Sequence, residues 1–260
     1  KTVTPLTAQL EAEGIAIHYS EEVDLIPKDV QLVVYTPAIP KEHKEYQYYL
    51  QNGYSVVKRS DVLQIITQSS LNICVAGTHG KTTISTITGH LLRHSGFGCN
   101  AFLGGIAVNY NRNFWASDNN VCVVEADEYD RSFHKLSPDV AVITAMDPDH
   151  LDIYGTAEAM EDAFIEFTRK IKPGGWLISK HGLKRYSDLV ADNHITYHLN
   201  NTNATVHAMN LKVQNGSYVF DVVMNDWLLK DVLLNVGGLH NVENALAAIA
   251  VAHVLKIEDE

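Results

Sequence analysis

The apolar residues of this chain gather in short, nearly unbroken runs at residues 71–76, 121–124 and 140–144, each closed by a polar cluster. Runs of this length without alternation are what strands buried on both faces require, and such strands pair in parallel. Around them the spacing turns helical. Residues 4–13 are amphipathic, with Thr4 as N-cap and Pro5 at the first helical position. Short strands are expected at 15–18 and, more strongly, at 31–35. A loop over 36–40, a polar-aromatic helix over 41–51 stopped by Gly53, a strand over 54–58 and a helix over 61–68 capped by Ser60 follow. Beyond residue 80 the pattern predicts a helix over 82–94 stopped at Gly96-Phe97-Gly98, then residues 100–103 leading to Gly104-Gly105, and a polar surface loop over 110–120. Next come a helix over 156–171 started by Thr156, a strand over 176–179, a helix over 182–192 and a strand over 195–199. From residue 205 to 236 the period drops to two, with turns at Asn215-Gly216 and Asn225-Asp226. Asn-Gly between alternating runs is a strong hairpin signal. An Ala-rich helix over 241–255 ends the pattern.

Alternating helix and strand implies an α/β fold with a mostly parallel sheet and crossover helices, here with a small antiparallel patch. The apolar pattern breaks at residues 68–72, dividing the chain into domains of 1–69 and 70–260. The first looks incomplete, because it opens on a helix with no strand before it. The first residue is Lys and the last residues continue directly from a helical pattern, so a fragment of a longer protein is expected.

Composition narrows the picture. Of the 260 residues, 46% are hydrophobic, enough for a substantial core. The formal net charge of -11 argues against nonspecific binding to nucleic acid or to an anionic membrane. It leaves room for an anionic ligand, because phosphate sites use local amides and one or two cations. No stretch approaches the length of a membrane span, and no signal peptide opens the chain. Three cysteines without metal-ligand spacing suggest buried thiols in a reducing compartment, hence the cytoplasm.

The chemistry concentrates where the apolar runs end. Residues 71–76 run into Gly77-Thr78-His79-Gly80-Lys81-Thr82-Thr83 and then into a helix. Strand, glycine loop, Lys-Thr and helix is the order a phosphate-binding loop needs. Glycines let backbone N–H groups turn around a phosphate, and the helix start adds partial positive charge. Lys81 would reach the β- and γ-phosphates and the Thr82 hydroxyl would ligand Mg²⁺. The usual first glycine of such a loop is Val75 here, and an ordinary strand-to-helix turn is the plainer reading. The second run ends in residues 125–130, with four carboxylates in six positions, and the third in Asp147-Pro148-Asp149-His150-Leu151-Asp152. Ligands of parallel sheets bind beyond the carboxyl ends of the strands. A phosphate loop beside two acidic exits is the arrangement of a Mg²⁺–ATP site. Glu125 is the preferred ligand of a first metal with Thr82, and His150 the candidate for a second. Taken alone, residues 125–130 fit a solvated acidic loop as well, and His150 fits an ordinary exposed histidine.

Four stretches taken together resemble a known family: residues 77–83, Glu125-Ala126-Asp127-Glu128, Asp149-His150-Leu151-Asp152, and Gly238-Leu239-His240-Asn241-Val242-Glu243-Asn244-Ala245. They are similar to the Mur ligases of peptidoglycan synthesis, in the alanine-adding branch, whose phosphate loop carries a histidine. The resemblance runs through nearly the whole chain. It implies a partial Rossmann-like UDP-substrate domain followed by a central P-loop ATPase-like domain. It implies that Lys81 and the loop amides hold the phosphates of ATP, and that His240, Asn241 and Asn244 contact its adenine side. For Asn241 the residues themselves fit a helix cap equally well. The implied reaction joins UDP-N-acetylmuramate to L-alanine through an acyl phosphate. Ala145 and Tyr129 stand where the family often has Asn and Ser. The modified lysine of sister ligases has no counterpart, and Phe164 falls near its place. The glycine-rich opening of the first domain and the whole carboxy-terminal domain are missing, so the chain alone is expected to be close to inactive as a ligase. The rival readings are a sister ligase that attaches a recycled peptide, a folate polyglutamylating enzyme, and a module that uses ATP as a switch and joins nothing.

Overall fold

The computed structural model describes residues 3–129, 131–149 and 151–258. The chain divides into two compact units, residues 1–66 and 67–260.

The first unit opens with helix α1 (Pro5–Ala12). Thr4 Oγ1 accepts the Thr7 N–H at 3.2 Å and Thr7 Oγ1 accepts the Thr4 N–H at 2.9 Å, a reciprocal cap that fixes the helix start. Strand β1 (Val33–Tyr35) pairs in parallel with β2 (Val56–Lys58), and α2 (Lys44–Gln51) lies between them in sequence. Helix α3 (Arg59–Gln68) follows, and the division between the units falls in its last turn. Residues 15–18, expected as a strand, form none. Ile15 is half exposed, and period-two apolarity without a partner strand does not hold an extended segment.

The second unit is built on a ten-stranded sheet. Its strands are β3 (Leu71–Ala76), β4 (Asn100–Ala107), β5 (Arg112–Trp115), β6 (Val121–Glu125), β7 (Val140–Ile143), β8 (Trp176–Lys180), β9 (Asn193–His198), β10 (Val206–Gln214), β11 (Ser217–Met224) and β12 (Trp227–Leu234). In space they run β12-β11-β10-β9-β8-β7-β3-β6-β4-β5. From β10 across to β4 every neighbouring pair is parallel. At one edge β10, β11 and β12 form an antiparallel meander, and at the other β5 turns back along β4. The expected antiparallel patch is therefore an extension of the main sheet. The β4–β5 hairpin replaces the surface loop expected over 110–120. Its strand residues Phe114 and Trp115 alternate between exposed and buried, a signal hidden among asparagines.

The central strands are covered on both faces. Ile73, Val75, Val123, Val140 and Val142 belong to one core cluster with Ile84 and Leu92 of helix α4 (Lys81–His94). The same cluster takes in Val242, Leu246 and Ala250. The alternate residues Cys74, Ala76, Cys122, Val124, Ala141 and Ile143 are equally buried. Helix α5 (Leu151–Tyr154) and helix α6 (Ala157–Thr168) follow β7. Phe164 and Phe167 of α6 pack on Phe133 at centroid distances of 5.6 and 5.1 Å. Thr156 caps α6 as expected, accepting the Ala159 N–H at 3.1 Å. The chain closes with helix α7 (Leu239–Val254). The three cysteines are free and buried, and burial pushes the Cys99 thiol up to about 11. Residues 182–192, expected as a helix, hold only a 3₁₀ turn at Tyr186–Asp188. Gly182 and Arg185 both take positive φ there, which a helix does not admit. Among the described residues no helix is long and apolar enough to cross a membrane.

Candidate active site

The exits of three adjacent strands, β6, β3 and β7, build the site. Register fixes their spacing: Val75 of β3 lies opposite Glu125 of β6 and Val142 of β7. Past Ala76 the chain turns at Gly77 with φ of 132°. A Cβ there would overlap Thr144 Oγ1 and lie 2.9 Å from the Ala145 nitrogen, so only glycine lets the loop press against the β7 exit. Thr144 Oγ1 donates to the His79 carbonyl. The Thr78 N–H donates to the Ala145 carbonyl at 3.1 Å, and the Asp147 N–H to Thr78 Oγ1 at 3.3 Å. Thr78 and His79 are thus stitched to the segment that leaves β7.

Gly80 ends the loop in the left-handed region (φ 80°) and is the N-cap of α4, with no side chain capping the helix. The first amide to bond back is that of Ile84, to the Gly80 carbonyl at 2.9 Å. The amides of Lys81, Thr82 and Thr83 therefore have no intrahelical acceptor and carry the positive end of the helix dipole. Lys81 folds back over the loop. Its Nζ donates to the Gly77 carbonyl at 2.8 Å and to Glu128 Oε1 at 2.7 Å. Thr82 Oγ1 donates to Glu125 Oε2 at 3.1 Å. The Glu125 carboxylate also accepts Ser85 Oγ at 3.2 Å and the Gly104 N–H at 2.5 Å. A Cβ on Gly104 would lie 2.6 Å from Glu125 Oε2, so the glycine allows β4 to approach the carboxylate.

Of the residues singled out from sequence, the structure brings residues 77–83 and Glu125 into one site. It adds Asn244, whose Oδ1 would lie 2.8 Å from a Cβ on Gly80. Asn241 is buried, and its Nδ2 donates to the Gly237 carbonyl at 2.6 Å; the N-cap of α7 is Gly238. Its amide pins the glycine turn that precedes α7 and accepts from Asn244 Nδ2 at 3.3 Å. His240 is exposed, with its ring against Gly238, and stands apart from the loop in the described contacts. The His79 ring is also exposed, 3.5 Å from Asp147 Oδ2. His150 lies outside the described residues. Three partners went unassigned from the sequence: Ser85, Gly104 and Glu128. Ser85 follows Thr82 by three positions on one helix face, a signal that was available. Gly104 and Glu128 depend on which strands become neighbours.

Chemically the arrangement offers an anion cradle of amides and one ammonium beside a hard oxygen pair, Thr82 hydroxyl and Glu125 carboxylate. That donor set suits Mg²⁺ bound to phosphate oxygens. Beside the loop opens a groove of about 510 Å³ lined by Thr82, Thr86, His90, Ile106, Tyr110 and Leu233 among others.

The sequence profile of the Mur ligase middle domain matches residues 75–252, and that of the Mur ligase family catalytic domain matches residues 2–70. A UDP-N-acetylmuramate–L-alanine ligase of Phocaeicola vulgatus is 46% identical over 266 residues, covering 100% of this chain and 58% of that protein. Among solved structures, the UDP-N-acetylmuramate–alanine ligase of Thermotoga maritima has a TM-score of 0.80 at 27% identity, covering 96% of this chain and 57% of that one. The UDP-N-acetylmuramate:L-alanyl-γ-D-glutamyl-meso-diaminopimelate ligase of Neisseria meningitides has a TM-score of 0.82 at 22% identity, covering 100% and 85%. At that identity the likeness speaks for the fold alone. The chain spans about 58% of the length of the curated relative it matches.

Proposed function

This chain belongs to the Mur ligase family, and on that premise we propose that the protein it is part of joins L-alanine to UDP-N-acetylmuramate in the cytoplasm, consuming ATP, as a step of peptidoglycan precursor synthesis. The observation that carries the reading is the convergence of Lys81, Thr82 and Glu125 on one glycine loop at the carboxyl end of the sheet. The 46% identity to an alanine ligase supports this choice of substrate pair.

In this reading Lys81 and the amides of residues 77–83 hold the ATP phosphates. Thr82 and Glu125 hold one Mg²⁺ and His150 a second. His240, Asn241 and Asn244 meet the adenine side. ATP supplies the phosphoryl group that turns the lactyl carboxylate into an acyl phosphate, which the alanine amine attacks with loss of phosphate. The protein's part is positioning and charge neutralisation at a crowded anionic centre. Ser85 and the Gly104 N–H hold the Glu125 carboxylate in place. Residues 1–69 form part of a UDP-substrate domain and residues 70–260 the ATP-binding domain.

The test is phosphate release by the full-length protein with UDP-N-acetylmuramate and ATP, comparing L-alanine with a muropeptide-derived tripeptide. Release with alanine, lowered at least 100-fold by Lys81→Ala, is the expected result. Preference for the tripeptide would assign the peptide-recycling branch, and nucleotide binding with no amide product would leave only a switch.

A further inference from the structure

Glu128 is buried completely, yet it is the residue that holds the lysine of the phosphate loop. It sits three positions past Glu125, in the turn after β6. The backbone around it is fixed: its carbonyl accepts the Tyr154 hydroxyl at 2.6 Å and the Arg131 N–H at 3.0 Å. The Arg131 guanidinium lies 4.9 Å over the Tyr154 ring. The main chain that carries the carboxylate is thereby held in place beside Lys81.

Lys81 gives one N–H to this carboxylate and one to the Gly77 carbonyl. An ammonium has three N–H groups in a fixed tetrahedral relation. Two anchors therefore set the direction of the third. The Lys81 side chain is 18% exposed, so one side of it remains open to a ligand. Withdrawing the cation from a fully buried carboxylate is strongly unfavourable, which favours a lysine that keeps Glu128 when a phosphate arrives. Resting on the nucleotide-binding reading above, we propose that Glu128 is a positioning residue: with the Gly77 carbonyl it anchors Lys81 so that the remaining N–H faces the phosphates held by the loop.

The experiment is calorimetric titration of the full-length protein with Mg²⁺–ATP, without the other substrates, alongside thermal unfolding of each variant without nucleotide. Glu128→Ala, which removes the anchor, is expected to bind at least tenfold more weakly. Glu128→Gln keeps an acceptor oxygen in the same place and is expected to stay within threefold of the unaltered protein. A purely structural carboxylate would not divide the two variants in this way without a matching division in their unfolding temperatures. An alanine variant that binds within threefold of the unaltered protein, or more tightly, overturns the proposal, because Glu128 would then be idle or would compete with phosphate for Lys81. A glutamine variant as weak as the alanine variant also overturns it. If Glu128→Ala does not fold, Glu128→Leu fills the space without an acceptor and carries the same expectation. Lys81→Ala separates the two levels of the argument. If it binds nucleotide undiminished, the nucleotide reading falls and this proposal with it. If it loses binding while Glu128→Ala keeps it, only the role of Glu128 falls.

Discussion

Gly77 and Gly104 fail in different ways when a methyl group is added, and the difference separates fold from site. At Gly77 the backbone is left-handed and the neighbours are the Thr144 hydroxyl and the Ala145 backbone. Gly77→Ala is expected to destabilise the second unit by about 2 kcal/mol or more, read as a lower urea midpoint, and to abolish nucleotide binding. At Gly104 the obstacle is the end of the Glu125 side chain, which can swing. Gly104→Ala is expected to leave stability within about 1 kcal/mol while lowering Mg²⁺-dependent nucleotide affinity at least fivefold. Equal losses of stability in the two variants would refute that division. Lys81 and Thr82 were legible because Gly-Lys-Thr opening a helix has a mechanism behind it, and Glu125 because it ends an apolar run. Glu128 was legible as one of four carboxylates and as the end of a stretch shared with a family, with no role attached to it. Its burial against Lys81 follows from the fold of the turn after β6, which no local pattern encodes.

At the scale of elements, reading succeeded where local chemistry and tertiary packing agree. Thr156 caps α6 through a single hydroxyl, and Thr156→Ala is expected to cost about 1 kcal/mol in chemical denaturation. An unchanged midpoint would show that packing of Phe164 and Phe167 fixes the helix start. Asn215 and Gly216 both take positive φ, the conformation a two-residue hairpin turn demands, and the meander formed as expected. Residues 182–192 show the opposite case. Their apolar spacing reads as a helix, but Arg185 bonds Asp162 at 2.6 Å and Asp188 at 2.9 Å and holds the segment in an irregular path. Ion pairs with residues twenty positions away leave no trace in periodicity.

For the molecule as a whole, the two units differ in what they bury. In residues 3–66 the buried apolar side chains are Ile26 and Tyr49, and the sheet has two strands, which is marginal for independent stability. Native-state hydrogen exchange is expected to open the amides of β1 and β2 at lower free energy than those of β3, β6 and β7. Common protection across both sets would contradict this. Acid should weaken the fold as well. Burial, the leading cause in each case, holds His90, His134 and His194 below the ordinary value of 6.5. Each therefore binds a proton more readily when unfolded, so stability is full above pH 6.5 and declines as pH falls from there toward the folded values. Urea midpoints at pH 7.5 and 5.5 test the sign, and His194→Gln should flatten the slope. The parallel register of β6, β3 and β7 has one more consequence. The gap between loop and carboxylate is measured out by strand pairing, not by the connections between strands. Gain or loss of a residue in segments 108–111 or 172–175 is accordingly expected to cost the chemistry little. A single residue gained inside β6 would shift Glu125 by about 3.3 Å and turn it to the opposite face. Variation in length across relatives should crowd into the connections and spare these three strands.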